Sequence, residues 1–317
     1  MRGTALLPFR KELVLGALLA LLSAVMWRFA PGFSKPSSLL GMTRYMAEVG
    51  LLALPMTAII ISGGIDLSSA SIMGLCAVLL GVLWQGALLP VWAACTVAVA
   101  VGGLLGLSNG LVISRLGVPP LIATLATMAV FRGAALGISK ANPVHGFPEG
   151  FFFIGQGQAA GLPFQVWILV PASVFAGLYL WRARGGRSVY AIGANEAAAA
   201  FSGIPVPRVK MLLYGASGLA GGLAAVVYVS RVSTAKADAG LDWELDVITA
   251  VVLGGASITG GTGRIAGTIL ALLIIQVLRT GMNLLALRSA WQLIAVGAIL
   301  AASVLVDRLR LRGAAAG

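Results

Sequence analysis

Asp66 stands within an otherwise apolar stretch, preceded by Ser62-Gly63-Gly64 and followed by Ser68-Ser69. A carboxylate placed this way has two uses. It caps the helix that restarts toward the apolar run from Ile72, accepting that helix's orphan N–H groups, or it lines a path through the membrane, the usual role of an intramembrane ionisable group. A second break, Leu253-Gly254-Gly255-Ala256-Ser257, leads into Thr259-Gly260-Gly261-Thr262-Gly263-Arg264, where glycine permits close helix approach or an irregular hinge. Lipid tolerates an interrupted helix only where protein or a water-filled cavity receives the freed backbone groups. Gly63, Gly64, Asp66, Ser68, Gly254 and Gly255 are therefore the candidate residues at a transport path.

Other chemistry is scarce. His145 is the single histidine, which excludes a His-based metal cluster or a His-dependent triad within the chain. Cys76 and Cys95 fall among apolar neighbours, where a thiol is an inert packing residue, so neither a disulfide nor a metal site is expected. No G-x-x-x-x-G-K-[ST] loop occurs, so the glycines shape backbone and do not cradle nucleotide. No catalytic residue and no cofactor are expected on this chain.

Of the 317 residues 59% are hydrophobic and 10% charged, with the apolar residues in long blocks, as in an integral membrane protein. The expected fold is all-α, with about ten spans: 13–31, 44–62, 67–86, 88–113, 119–138, 164–181, 209–230, 245–262, 265–284 and 289–306. Leu13 to Phe29 lacks an A-x-A cleavage signal and reads as an uncleaved first span. No separate soluble domain is expected within residues 1–317.

The formal charge of +12 is topological and does not indicate nucleic acid, because the basic residues sit at the ends of apolar blocks. Arg115, the run Arg182, Arg184, Arg187, Arg208 and Lys210, then Arg264, and finally Arg308, Arg310 and Arg312 fall on one side, expected to be cytoplasmic together with both termini. Lys35, the Lys140–Glu149 loop and the Arg231–Asp246 segment fall on the other. The outer loop 139–163, rich in Gly, Pro and Phe, is expected to lie on the membrane surface or meet a partner. Arg132 is expected to snorkel to the interface, and Trp27, Trp84, Trp92, Trp167, Trp181 and Trp291 to anchor there.

The inner loop, about 182–208, contains a helix-forming run from Asn195 to Phe201 closed by Gly203 and Pro205. Asn195 is expected to cap it, with Glu196 at the positive end of its dipole. The run suits either docking or an ordinary amphipathic connector. Thr57-Ala-Ile-Ile-Ile-Ser-Gly-Gly lies beside Thr249-Ala-Val-Val-Leu-Gly-Gly as a faint internal repeat that needs one gap to align the glycine pairs.

Four motifs carry a family resemblance: I-S-G-G-I-D-L-S at 61–68, N-G-L-V-I-S-R-L-G-V-P-P-L-I-A-T-L-A-T-M at 109–128, Y-A-I-G-A-N-E-A-A-A-A-F-S-G-I at 190–204, and V-I-T-A-V-V-L-G-G-A-S-I-T-G-G-T-G at 247–263. Over residues 44–306 the chain resembles the permease subunits of bacterial monosaccharide ATP-binding-cassette importers. The first motif departs from the family pattern, reading Ser69-Ala70-Ser71 where Val-Gly-Ser is frequent, with residue size kept small.

The resemblance implies several partners: a separate ATP-binding-cassette subunit, a second permease chain, identical or homologous, and a periplasmic sugar-binding protein, all at the bacterial inner membrane. It assigns the contact with the ATPase subunit to Asn195, Glu196, Ala197, Phe201 and Gly203. A-K-A-D-A-G at 235–240 and V-H-G-F-P-E-G at 144–150 look most like permeases for rhamnose-type deoxy sugars or autoinducer-2, with ribose and xylose permeases as neighbours. Two rivals are a branched-chain amino acid permease, which lacks a close match to I-S-G-G-I-D-L-S, and an ion-coupled secondary transporter. The second would place ionisable residues at the midplane, where Asp66 is nearly alone.

Overall fold

A computed structural model describes the backbone of residues 7–86 and 88–315, and the side chains of 11–86 and 88–305. The side chains of Arg308, Arg310 and Arg312 lie outside the described residues. The chain forms α1 (Leu7–Phe29), α2 (Pro36–Ile61), α3 (Ser69–Gln85), α4 (Val91–Arg115), α5 (Pro120–Ser139) and α6 (Glu149–Gln156). A two-strand hairpin, β1 (Gln158–Ala159) with β2 (Leu162–Pro163), follows. Then come α7 (Phe164–Arg182), α8 (Arg184–Ala194), α9 (Glu196–Phe201), α10 (Val206–Val232), α11 (Trp243–Leu253), α12 (Ile265–Leu284) and α13 (Ser289–Ala315). Prolines open α2 and α5, where their missing N–H is no loss.

Among the described residues, seven helices are long and apolar enough to cross a membrane: α2, α4, α5, α7, α10, α12 and, in α1, Lys11–Phe29. α3 and the Ser289–Leu305 part of α13 are apolar but shorter. The span expected at 245–262 is not one helix. α11 has 11 residues, about 16 Å of rise against a hydrocarbon core of about 30 Å. It stops at Gly254 because the backbone turns left-handed at Gly255, φ +92°.

α2 and α10 run through the centre, with 78% of each apolar window buried, whereas α1, α5 and α7 lie at the periphery. α4 and α10 cross at backbone contact. Gly102, Gly106 and Gly110 face the α10 backbone around Met211, Tyr214, Gly218 and Gly222, and a Cβ on Gly106 would strike the Tyr214 carbonyl. Helix association in lipid relies on such van der Waals contact, so small residues every fourth position draw these two helices together.

The 139–163 loop packs into the protein rather than standing free of it. Phe151 of α6 is fully buried, the Ser230 hydroxyl donates to its carbonyl at 2.7 Å, and the Gly155 amide donates to Ser230 Oγ at 2.7 Å. Trp84 and Trp92, expected as interfacial anchors, pack on Phe147 and Phe151 at centroid separations of 6.3 and 6.2 Å. The loop's own Phe147 and Phe151 thus clamp it onto α3 and α4, while Ser230 ties it to α10.

Candidate functional site at the two helix breaks

Both glycine pairs end their helices in the same way. After α2, Gly63 turns left-handed (φ +81°) and donates to the Ile60 carbonyl at 2.9 Å, while the Gly64 amide reaches back to Ile59 at 2.9 Å. After α11, Gly255 donates to Val252 at 2.9 Å and Ala256 to Val251 at 3.2 Å. Each is a Schellman motif, which satisfies orphan carbonyls through a left-handed residue best filled by glycine. The equivalent glycines are therefore Gly63 and Gly255, each six residues after Thr57 or Thr249. The internal repeat aligns without the gap that matching the glycine pairs required.

Asp66 is not the helix cap. The N-cap of α3 is Ser68, and Asp66, fully buried, binds several groups at once. Its Oδ1 accepts from the Ser68 amide at 2.9 Å and the Ser68 hydroxyl at 2.6 Å, and its Oδ2 accepts from Ser217 Oγ on α10 at 2.7 Å. Asn109 Nδ2 on α4 donates to Ser68 Oγ at 2.7 Å. The neighbouring Ile65 carbonyl accepts from Tyr214 at 3.2 Å and from Thr124 at 3.4 Å. The break is thus pinned to α4, α5 and α10, and the close α4–α10 crossing is what brings Asn109 and Ser217 within reach.

The two breaks meet each other and the inner loop. The Gly261 amide donates to the Ile61 carbonyl at 2.8 Å. A Cβ on Gly193 of α8 would collide with that same carbonyl, and one on Gly260 would lie 2.8 Å from the Gly193 carbonyl and 3.2 Å from the Gly63 Cα. Tyr190, one turn earlier on α8, donates its hydroxyl to the Gly263 carbonyl at 2.8 Å. Burial pushes the Tyr190 phenol up, partly offset by the Arg264 charge, so it remains the donor at neutral pH. The sequence marks this junction only indirectly, through a glycine two residues before the helix-forming run that begins at Asn195.

Beyond Gly193, Asn195 caps α9 as expected, its Oδ1 accepting from the Ala198 amide at 2.9 Å. Gly203 closes α9 with φ +82°. Glu196 pairs with Lys210 at 2.7 Å, Ala197 is exposed, and Phe201 is 93% exposed. A buried cluster of Ile192, Ala199 and Val206 holds α8, α9 and the start of α10 together.

The opposite end holds charged residues that helix patterning did not reveal. Asp66 is not alone among buried acids. Glu48 on α2 is fully buried and pairs with Arg231 at 2.6 Å, and Asp246 on α11 pairs with Arg279 of α12 at 2.6 Å. Arg132 does not snorkel. It donates to the Ala237 and Ala239 carbonyls at 3.0 Å each and lies 3.5 Å from Glu244. A cavity of about 500 Å³ opens between α2, α11, α12 and the start of α13.

Among the described residues, the chain combines seven helices long and apolar enough to cross a membrane with two helix breaks that meet at Ile61 and Gly261. The chain belongs to the family described as branched-chain amino acid transport system / permease component, whose model matches residues 38–304. Among its curated relatives, the ribose import permease protein RbsC of Bacillus subtilis (strain 168) is 41% identical over 88% of this chain and 87% of the relative. The Escherichia coli (strain K12) RbsC is 36% identical over 91% of both chains. The autoinducer 2 import system permease protein LsrD of Yersinia enterocolitica is 41% identical over 75% of this chain and 73% of the relative. No solved structure matches the chain. It is a multi-pass membrane protein of this permease family.

Proposed function

We propose that the chain is one of two permease subunits through which a small sugar of the ribose or autoinducer-2 class enters a bacterial cell, driven by a separate ATP-binding-cassette subunit. A periplasmic binding protein would deliver the sugar to the end away from α8 and α9. The relatives' names weigh toward ribose and autoinducer-2 over the rhamnose-type sugars suggested by A-K-A-D-A-G and V-H-G-F-P-E-G. The basic residues Arg115, Arg182, Arg184, Arg187 and Arg208 gather at the α8–α9 end, which supports placing that end and both termini in the cytoplasm.

One observation carries this reading. A helix of six residues, capped by Asn195 and closed by Gly203, presents an almost wholly exposed Phe201 on a support whose Gly193 touches both helix breaks through backbone. An exposed aromatic on a rigid mount is a docking anchor. Closure of the ATPase subunits would push on Glu196, Ala197 and Phe201. The push would pass along α8 to Ile61 and Gly261, and turn the helices about their left-handed glycines between outward-open and inward-open states. Asp66 and Ser68 serve here as positioning residues that keep the first break attached to α4 and α10.

The test is the double substitution Glu196→Arg and Phe201→Arg in vesicles holding the whole complex. Sugar uptake should be lost while the permease still inserts and folds. Unchanged uptake would overturn the docking role.

A further inference from the structure

The cavity at the end away from α9 contains more than packing requires. Trp243 and Tyr45 supply aromatic faces, and Gln276, Asn283 and Gln292 supply amides. Arg231 is held between the rings of Tyr45 and Tyr228, 4.6 and 5.5 Å from their centroids, and Tyr228 meets Trp243 edge-on at 5.8 Å. Gln292 Nε2 donates to Asn283 Oδ1 at 2.6 Å, which leaves the Asn283 amide hydrogens and the Gln292 oxygen without another hydrogen bond among the described residues.

Charge narrows what fits. Arg231 is matched by Glu48 and Arg279 by Asp246, so the lining is balanced and neither attracts nor repels a net charge strongly. Arg279 Nε and Glu48 Oε2 are nevertheless buried with no hydrogen-bond partner among the described residues, a costly state for charged groups. A ligand bearing several hydroxyls, each both donor and acceptor, satisfies the free amide groups of Asn283 and Gln292 without adding charge. Its apolar ring face would rest on Trp243. The volume lies within the range of about 300–1,000 Å³ usual for small-molecule sites.

We infer that this cavity is a sugar-selecting station of the permease, which holds a neutral monosaccharide through Asn283, Gln276, Arg279 and Trp243 before the breaks open. The inference rests on the sugar-import reading and adds where selection occurs within the membrane subunit. A zwitterionic amino acid, by contrast, would bring an ammonium and a carboxylate into a lining whose charges are already paired.

The experiment uses the complete complex in vesicles with radiolabelled D-ribose, and reads both uptake and binding-protein-stimulated ATP hydrolysis. Asn283→Ala and Trp243→Ala should each lower uptake about tenfold, the kinetic weight of roughly one lost hydrogen bond or stacking contact, with stimulated hydrolysis retained as proof of assembly. As a measurement that does not depend on those variants folding, D-ribose should slow labelling of the thiol introduced by Thr280→Cys. Normal uptake in both alanine variants, or labelling indifferent to D-ribose, would overturn the station while leaving the sugar-import reading intact. A wild-type complex that moves L-leucine but no sugar would overturn both.

Discussion

The Gly261 amide donates to the Ile61 carbonyl at 2.8 Å, so the last turn of α2 and the loop after α11 share a hydrogen bond although 200 residues separate them. Gly193 of α8 lies against the same carbonyl. Two interruptions far apart in the chain are therefore one junction, and the inner loop rests directly on it.

Truncating Asp66 should cost more stability than neutralising it. Asp66→Ala strips acceptors from buried Ser68 and Ser217 and should cost about 1–3 kcal/mol for each group left unpaired. Asp66→Asn keeps one acceptor and the shape of the side chain, and Ser217 can rotate to accept, so its loss should be smaller. Thermal unfolding in detergent orders the two, and equal losses would contradict the hydrogen-bonded role.

The glycines of the breaks should differ by mechanism. Gly63→Ala and Gly255→Ala place a Cβ on left-handed backbone and should each cost about 1–2 kcal/mol. Gly254→Ala should cost more than Gly64→Ala. The first meets the Thr268 backbone nitrogen at 2.6 Å, which cannot yield, whereas the second first meets the Tyr214 hydroxyl, the end of a side chain. Melting temperatures of the four variants check this order.

Phe201→Ala should leave the melting temperature of the isolated permease unchanged, because a side chain 93% exposed has little packing to lose. Glu196→Gln removes only the charge of a half-exposed ion pair with Lys210 and should shift stability by less than about 1 kcal/mol. Phe201→Ala should nonetheless abolish co-purification of the ATPase subunit. Retained co-purification would show that the contact lies elsewhere.

Much of this fold was legible as hydrophobic blocks, glycine breaks and the Asn195 cap, because each depends on neighbours in sequence. Local sequence is not enough where distant groups compete. Asp66 has the spacing of a cap, but Ser217, presented by a helix crossing set by glycines on both sides, holds it in another role, while Asn109 holds the neighbouring Ser68. The stretch 245–262 is apolar enough to span, yet the left-handed turn at Gly255 ends its helix early. Glu48 lies within the apolar α2, and only the fold brings its partner Arg231, 183 residues away, opposite it.

The central claim is that motion of α9 reaches both breaks through Gly193. The most direct test is the number of sugar molecules imported per ATP hydrolysed by Gly193→Ala in vesicles, since the added methyl would displace α8 from Ile61 but leave the exposed face of α9 in place. Overpacking of about 1–3 kcal/mol at this contact predicts a ratio lowered roughly tenfold or more with the ATPase subunit still bound. A ratio equal to that of the unaltered chain would contradict the account.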